Sequence, residues 1–115
     1  MSFNELEIKR IKKEADEFLK NRRPPIEIRN KVDIGIKIEN SYVEIYEIRP
    51  QWNNPTNILE IPIAKTTFVK SKKIWKIYWQ RSDLKWHTYD PKAEVKEITE
   101  FFSIVDKDEH GCFWG

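Results

Sequence analysis

The chain has 115 residues, of which 35% are charged, and its formal net charge is only +2. This length is enough for one domain with a buried core and leaves no room for a second domain. The single cysteine excludes an intramolecular disulfide, while the acidic residues near the N-terminus and the lack of a long apolar run argue against a signal peptide or a membrane span. We therefore expect a protein of the cytoplasm that makes no membrane contact.

The first predicted element is an amphipathic helix that ends at Lys20. Ser2 and Glu5 have the spacing of a capping box. The segment 21–25, which contains two arginines and two prolines, stops the helix and is expected to be an exposed connector. The apolar residues of the helix recur at helical spacing, and they are Leu6, Ile8, Ile11, Ala15, Phe18 and Leu19.

Two strands are predicted next, joined by a turn at residues 40–41. Residues 31–39 alternate strictly between apolar and polar side chains, which is typical of a half-buried strand. The second strand covers residues 42–49 and continues the apolar face. The turn predicts that Ile38 lies opposite Val43 and that Ile36 lies opposite Ile45.

Charged residues interrupt this pattern at the end of the second strand. Continued alternation would place Glu47 and Arg49 on the buried face, so either a β-bulge rotates the strand or the two charges pair at the margin of the sheet. The segment 49–56 is polar and contains two prolines, and we expect Trp52 within it to cover the core. The alternative for Trp52 is an exposed stacking site beside Arg49.

Two further hairpin turns follow. A lysine-rich turn at residues 70–73 sets Phe68 opposite Trp75. A turn at Ser82 and Asp83 then reverses the aromatic segment 74–89. This second reversal predicts the pairs Arg81 with Leu84, Trp79 with Trp86, and Tyr78 with His87.

The predicted register sorts these side chains onto two faces of the sheet. The apolar face receives Trp75, Ile77, Trp79, Leu84 and Trp86. The opposite face receives basic and aromatic residues together, and this candidate binding set is Lys65, Lys76, Tyr78, Lys85, His87 and Tyr89.

The last predicted helix spans residues 91–105, with Asp90 as its N-cap and Pro91 at its first position. The aromatic residues Phe113 and Trp114 near the C-terminus would be costly to expose, so we expect them to dock on the domain. The fold class is therefore α+β. A single domain, residues 1–115, contains an antiparallel sheet of about five strands in a meander of hairpins, with the N-terminal and C-terminal helices on one face.

No motif in the chain prescribes a reaction, and the presence of only three glycines argues against a backbone phosphate-binding loop. We therefore expect a binding module without a cofactor or metal rather than an enzyme. One alternative is a small enzyme or metal site built from His87, His110 and Cys112 with a carboxylate such as Glu47. A second alternative places a base, an acid and an anion clamp at the hairpin end, from Arg81, Asp83, Lys85 and His87.

Positive charge is concentrated in the segment that contains the candidate set. Residues 63–89 hold seven basic residues and one acidic residue, whereas residues 90–115 hold three basic and seven acidic residues. Since aromatic rings stack on bases and lysines follow phosphates, we interpret this face as a surface for nucleic acid, in particular single-stranded or structured RNA. Two alternatives remain: the face binds a protein partner, or its lysines only protect a sheet edge from aggregation.

Short strings over most of the chain are specific enough to indicate a family. They are Arg23-Pro24-Pro25, Glu47-Ile48-Arg49-Pro50-x-Trp52, Ala64-Lys65, Val69-Lys70-Ser71, Trp75-Lys76-x-Tyr78-Trp79-x-Arg81-x-Asp83-Leu84-Lys85-Trp86-His87-x-Tyr89, Val105-Asp106 and His110-Gly111-Cys112-Phe113-x-Gly115. In these strings the chain resembles a family of small bacterial proteins known as domain of unknown function 3024. The resemblance implies a complete stand-alone domain, and it brings no activity, ligand or catalytic residue.

Overall fold

The structure is a computed structural model, and it describes residues 3–114. Within them, the strands pair antiparallel in the order β1-β2-β3-β4-β5, and β6 pairs with the edge of β4 that β5 also occupies. Short 3₁₀ turns lie at Ile26–Ile28 and Asp90–Lys92. The main elements are α1 (Glu5–Arg22), β1 (Asp33–Ile38), β2 (Tyr42–Gln51), β3 (Asn54–Val69), β4 (Ile74–Gln80), β5 (Trp86–Thr88), β6 (Glu94–Val95) and α2 (Ile98–Lys107).

Helix α1 begins with a capping box formed by Asn4 and Glu7. The Asn4 side chain accepts a hydrogen bond from the Glu7 N–H, and the Glu7 carboxylate accepts one from the Asn4 N–H, both at 2.8 Å. Ser2, the predicted cap, lies outside the described residues, and Glu5 is the first helical residue rather than the partner of a cap. The proline-containing connector does end the helix, two residues beyond the predicted boundary.

Both helices pack on one face of the sheet, which confirms the predicted α+β fold class. The predicted pairs at residues 36 and 45, 38 and 43, and 68 and 75 are present in the sheet. The core takes alternate positions of the strands and the inner sides of both helices: Ile11, Ala15, Phe18, Ile34, Val43, Ile45, Ala64, Trp75, Ile77, Val95, Ile98, Phe101, Phe102 and Val105.

Strands β2 and β3 continue beyond the rest of the sheet as a two-stranded hairpin arm, residues 49–59. Strand β1 pairs with β2 only as far as Ile48, and β4 pairs with β3 only as far as Ala64. The arm reverses at residues 52–53, and Trp52 at its tip is 91% exposed. The prediction that Trp52 covers the core was wrong, because the arm carries it beyond the helices.

Glu47 and Arg49 remain on the helix-covered side of β2 and form an ion pair at the margin of the sheet. A bulge is also present, but it lies in the partner strand β3 at Ile63, where the register with β2 shifts by one residue. The pairing of the two charges is therefore what allows them to occupy that side.

The hairpin between β4 and β5 has a three-residue loop, residues 82–84. The Leu84 N–H donates to the Arg81 carbonyl at 2.9 Å, and Leu84 adopts a left-handed conformation with φ of 62°. Trp79 consequently lies opposite His87, and Gln80 lies opposite Trp86. This shift of one residue from the predicted register exchanges the faces of Trp86 and His87. It also leaves Leu84 exposed in the loop, outside the predicted apolar layer.

The predicted helix at 91–105 is shorter than expected. Asp90 and Pro91 begin a 3₁₀ turn, after which β6 pairs Val95 with Trp75, and α2 starts only at Ile98. The backbone of Ile77 explains the turn. Its carbonyl accepts a hydrogen bond from the Tyr89 N–H, and its N–H donates to the Ala93 carbonyl, so both ends of the turn are bound to the same residue of β4. The tail docks as predicted: Phe113 is buried, and the indole N–H of Trp114 donates to the Val105 carbonyl at 2.8 Å.

Candidate functional site

The sheet face opposite the helices carries aromatic and basic side chains together, and we call it the open face. Alternation along the strands places these residues there, because their neighbours fill the core on the other side. Each of them is partly accessible to solvent. The residues of the open face include Lys37, Tyr42, Glu44, Tyr46, Glu60, Lys65, Thr67, Lys76, Tyr78, Gln80, Trp86, Thr88 and Glu94.

Lys65 lies at the centre of this face. It is opposite Tyr78 on β4, and its ammonium group lies 4.5 Å from the ring centroid of Tyr42 and 5.8 Å from that of Trp86. These distances are typical of cation–π contacts. The lysine therefore joins aromatic rings from both sides of β3 into one surface.

A second group of the open face is formed around Tyr46. Its ring lies over Gly35, and the Lys37 ammonium group lies 4.8 Å from the ring centroid. Lys37 also donates to Glu60 at 2.8 Å, and this hydrogen bond raises the pKa of Lys37. Lys37 is consequently held in place as a cation beside the ring.

A shallow hollow of about 160 Å³ adjoins the Lys65 group, where β5 and β6 separate along β4. Its walls include Lys76, Tyr78 and Thr88, with Glu94 at the β6 side. The hollow therefore combines an aromatic ring, a cation and hydrogen-bonding groups on the open face.

The structure brings together only part of the predicted binding set. Lys65, Lys76 and Tyr78 share the open face, while Lys85 lies exposed in the segment between β4 and β5. The predicted placement of Lys85, His87 and Tyr89 on this face was wrong. Lys85 lies opposite Arg81 and therefore on the side of Trp79, away from the open face. His87 lies on the helix-covered side because of the register shift.

Tyr89 is a core residue rather than part of the open face. Its ring is 3% exposed and packs against Phe113, with 4.9 Å between ring centroids. Burial raises the pKa of the Tyr89 hydroxyl. The ring is therefore unable to serve as a stacking platform for an external ligand.

Sequence reasoning missed Trp86 and three residues of the first two strands, Lys37, Tyr42 and Tyr46. A signal was present for these three, because each occupies a polar-side position of the alternating pattern that predicted the core residues Val43 and Ile45. Trp86 could be assigned to the open face only if the loop between β4 and β5 was known to have three residues, and no local sequence pattern indicates that length.

His87 makes a local contact at the hairpin end. Its Nε2 atom lies 2.8 Å from Asp83 Oδ2, and Asp83 Oδ1 accepts a hydrogen bond from the Lys85 N–H at 2.9 Å. The pKa of Asp83 is lowered mainly by the hydrogen bond from the Lys85 N–H, and the contact with His87 lowers it further. Asp83 thus holds the loop in shape, as aspartate side chains commonly do in turns.

The alternative metal site is not assembled. Among residues 3–114, no three histidine, cysteine, aspartate or glutamate side chains lie close enough to hold a metal ion together. His110 packs near the ring of Tyr89, and Cys112 lies beside His110 in the tail, where burial raises the pKa of the Cys112 thiol.

Among residues 3–114, no helix is long and apolar enough to cross a membrane.

Comparison with known proteins identifies the family. A family model described as "Domain of unknown function (DUF3024)" matches residues 3–115. The chain therefore belongs to this family, which confirms the resemblance seen in the sequence. No curated protein and no solved structure matches the chain.

Proposed function

We propose that this member of the DUF3024 family is a binding module whose open face holds single-stranded nucleic acid, with RNA as the preferred form. The observation that carries the proposal is the group in which Lys65 lies between the rings of Tyr42 and Trp86 and opposite Tyr78. Aromatic rings and lysines on one uncovered sheet surface are the two components that bind unpaired bases and their phosphates.

Single strands fit this surface better than duplexes do. The rings of Tyr42, Tyr78 and Trp86 can stack only on bases that are not already stacked within a helix. A β-sheet presents such rings side by side, whereas duplex recognition requires an element that enters a groove. The hollow beside Tyr78 adds Thr88 and Lys76 as hydrogen-bond donors to a neighbouring nucleotide.

The most basic segment of the chain, residues 63–89, supplies part of the open face. The strongly acidic segment 90–115 contains α2, which packs on the helix-covered side, so most of its carboxylates are remote from the open face. The basic segment 63–89 contains the second part of β3 together with β4 and β5, and these strands supply Lys65, Lys76 and Trp86. The open face itself carries Lys37, Lys65 and Lys76 together with Glu44, Glu60 and Glu94, so the proposal rests on the aromatic rings and their lysine contacts rather than on a net positive charge of this face.

Fluorescence anisotropy with labelled RNA and DNA oligonucleotides tests the proposal. Tyr78→Ala should weaken binding about 5- to 150-fold, the loss expected for one stacked base, whereas Tyr78→Phe keeps the ring and should bind normally. If three lysines contact phosphates, raising the salt concentration from 50 to 200 mM should weaken binding roughly 20-fold. Lys65→Gln should reduce this salt dependence.

Two control variants make the result specific to the open face. His87→Ala removes a side chain on the helix-covered side, and Lys20→Gln removes an exposed cation of α1, so neither should change the affinity. If neither RNA nor DNA binds at low salt, or if His87→Ala abolishes binding while Tyr78→Ala does not, the proposal is wrong.

A second candidate function, contact with a protein partner, is favoured by the hairpin arm. Residues 50–59 carry no charge, although 35% of the chain is charged, and both Trp52 and Ile58 are exposed there. Exposed tryptophan with few charges is typical of the centre of a protein interface. Trp52→Ala should abolish capture of such a partner from extract, and it should leave oligonucleotide affinity unchanged because the arm tip lies beyond the Lys65 group.

A further inference from the structure

A cleft of about 620 Å³ opens on the helix-covered side of the sheet. It lies where the first turns of α1, the turn between β3 and β4, and the start of α2 meet. This volume is in the range of small-molecule binding sites. We call it the lysine cleft, after Lys70, Lys73 and Lys96 in its lining.

The floor of the lysine cleft is apolar. It is formed by Phe68 and Trp75, whose ring centroids lie 4.8 Å apart, and by Ile11 and Ile98 of the two helices. Trp75, Ile11 and Ile98 are buried and belong to the core, so the floor is fixed by the packing of the whole domain. A ring or another flat apolar group is the ligand part that such a floor accepts.

The lining of the cleft has an excess of positive charge. It contains four cations, Arg10 and the three lysines, and two carboxylates, Glu7 and Glu97. Both carboxylates already have partners: Glu7 accepts the Asn4 N–H, and Glu97 pairs with Arg10 at 2.9 Å. Among the residues that the structure describes, no carboxylate lies within ion-pair distance of the ammonium group of Lys73 or Lys96.

We propose that the lysine cleft binds a small organic anion. Its aromatic or other apolar body lies on Phe68 and Trp75, and its carboxylate, sulfonate or phosphate group is held by Lys73 and Lys96. Charge complementarity selects an anion over a neutral or cationic ligand, because the cations of the cleft lining outnumber its carboxylates by four to two. This site is separate from the open face and does not depend on nucleic-acid binding.

A matched pair of fluorescent probes tests both parts of the proposal. 1-Anilinonaphthalene-8-sulfonate carries an anionic group on an aromatic body, and N-phenyl-1-naphthylamine is the same body without the charge. The sulfonate should bind more tightly than the neutral probe. In the double variant Lys73→Gln with Lys96→Gln, the affinity for the sulfonate should fall about tenfold, since each partly exposed ion pair contributes modestly, and affinity for the neutral probe should not change.

The control is the double variant Lys20→Gln with Lys31→Gln, which removes the same charge from exposed positions outside the cleft. It should leave the affinity for the sulfonate unchanged. Equal affinities for the two probes, or equal losses in the two double variants, would refute the proposal.

Nuclear magnetic resonance locates the probe and separates this proposal from the previous one. The sulfonate should shift the indole N–H signal of Trp75 and the amide signals of Lys73 and Lys96, and it should leave the Trp86 indole signal in place. An RNA oligonucleotide should do the reverse. A sulfonate that shifts Trp86 instead of Trp75 overturns the cleft proposal, whereas a failure of RNA to shift Trp86 counts only against the open face.

Discussion

Gly35 lies directly opposite Tyr46, and a Cβ atom at residue 35 would come within 2.4 Å of Tyr46 Cζ. The Tyr46 ring therefore covers the glycine, and the Lys37 ammonium group lies over that ring. A glycine inside a strand weakens it unless a neighbouring side chain fills the space. At this position the absence of a side chain on one residue sets the conformation of an aromatic ring on the open face.

Gly35→Ala should lower the free energy of unfolding by about 1–3 kcal/mol, the usual cost of an overpacked contact. Urea unfolding measures the change. In a Tyr46→Ala background the same substitution should cost much less, because the atoms that clash are absent. An equal loss in both backgrounds would show that strand backbone, and not the Tyr46 ring, is what excludes a side chain at residue 35.

The hairpin between β4 and β5 is the element whose geometry decides which side chains reach the open face. Its loop closes through Leu84 in the left-handed conformation, with φ of 62°, and the side chain is 77% exposed. A leucine gains no packing there and strains the backbone. Asp83 offsets part of this strain by accepting the Lys85 N–H, so the loop keeps its shape in spite of the residue at 84.

Leu84→Gly should raise the free energy of unfolding by about 0.5–1 kcal/mol, because glycine adopts positive φ without steric cost. Thermal or urea unfolding detects this change. Leu84→Ala is the matched control, since it removes the same exposed side chain but retains Cβ, and it should give no increase. A gain of equal size in both variants would mean that the exposed leucine side chain, rather than the backbone, limits stability.

Local patterns were enough to predict that two helices exist, and they also predicted the alternation at residues 31–45 and the two-sided sheet, because burial on one face imposes a period of two on each strand. They also predicted Lys65, Lys76 and Tyr78 on one face. The sequence did not predict that Trp86 and His87 exchange faces. Ser82 and Asp83 suit several turn lengths, and leucine is not a residue that indicates a left-handed conformation. The start of α2 was misplaced because β6 exists only through pairing with β4, a contact that no local signal records.

Two adjacent arginines at the end of α1 connect this helix to distant parts of the chain. The Arg22 guanidinium lies 4.5 Å from the ring centroid of Trp114 and donates to the Asp106 carbonyl, so it joins α1 to the C-terminal tail. Arg23 makes two hydrogen bonds of 2.8 Å to the carboxylate of Asp33, at the start of β1. The C-terminal tail and the first strand are thus held to the same end of α1.

The Arg23–Asp33 pair should make stability depend on pH in acid. The hydrogen bond from Arg23 is the main cause of a lowered pKa for Asp33, and the Ile34 N–H adds to it. Since the unfolded chain has the ordinary value near 3.9, the pair stabilises the fold at pH values above about 4. That contribution is lost as the pH falls through the lowered pKa of the folded state, where Asp33 becomes protonated.

Asp33→Asn should therefore lower the free energy of unfolding by about 1 kcal/mol at pH 7, a modest figure because Arg23 is partly exposed. The difference from the wild-type chain should shrink as the pH is lowered from 4 towards 2, which urea unfolding over a pH series measures. Asp16→Asn, at an exposed position of α1, should be neutral throughout. Asparagine can still accept the Ile34 N–H, so a loss that persists unchanged at pH 2 would assign the effect to packing around β1 rather than to the charge on Asp33.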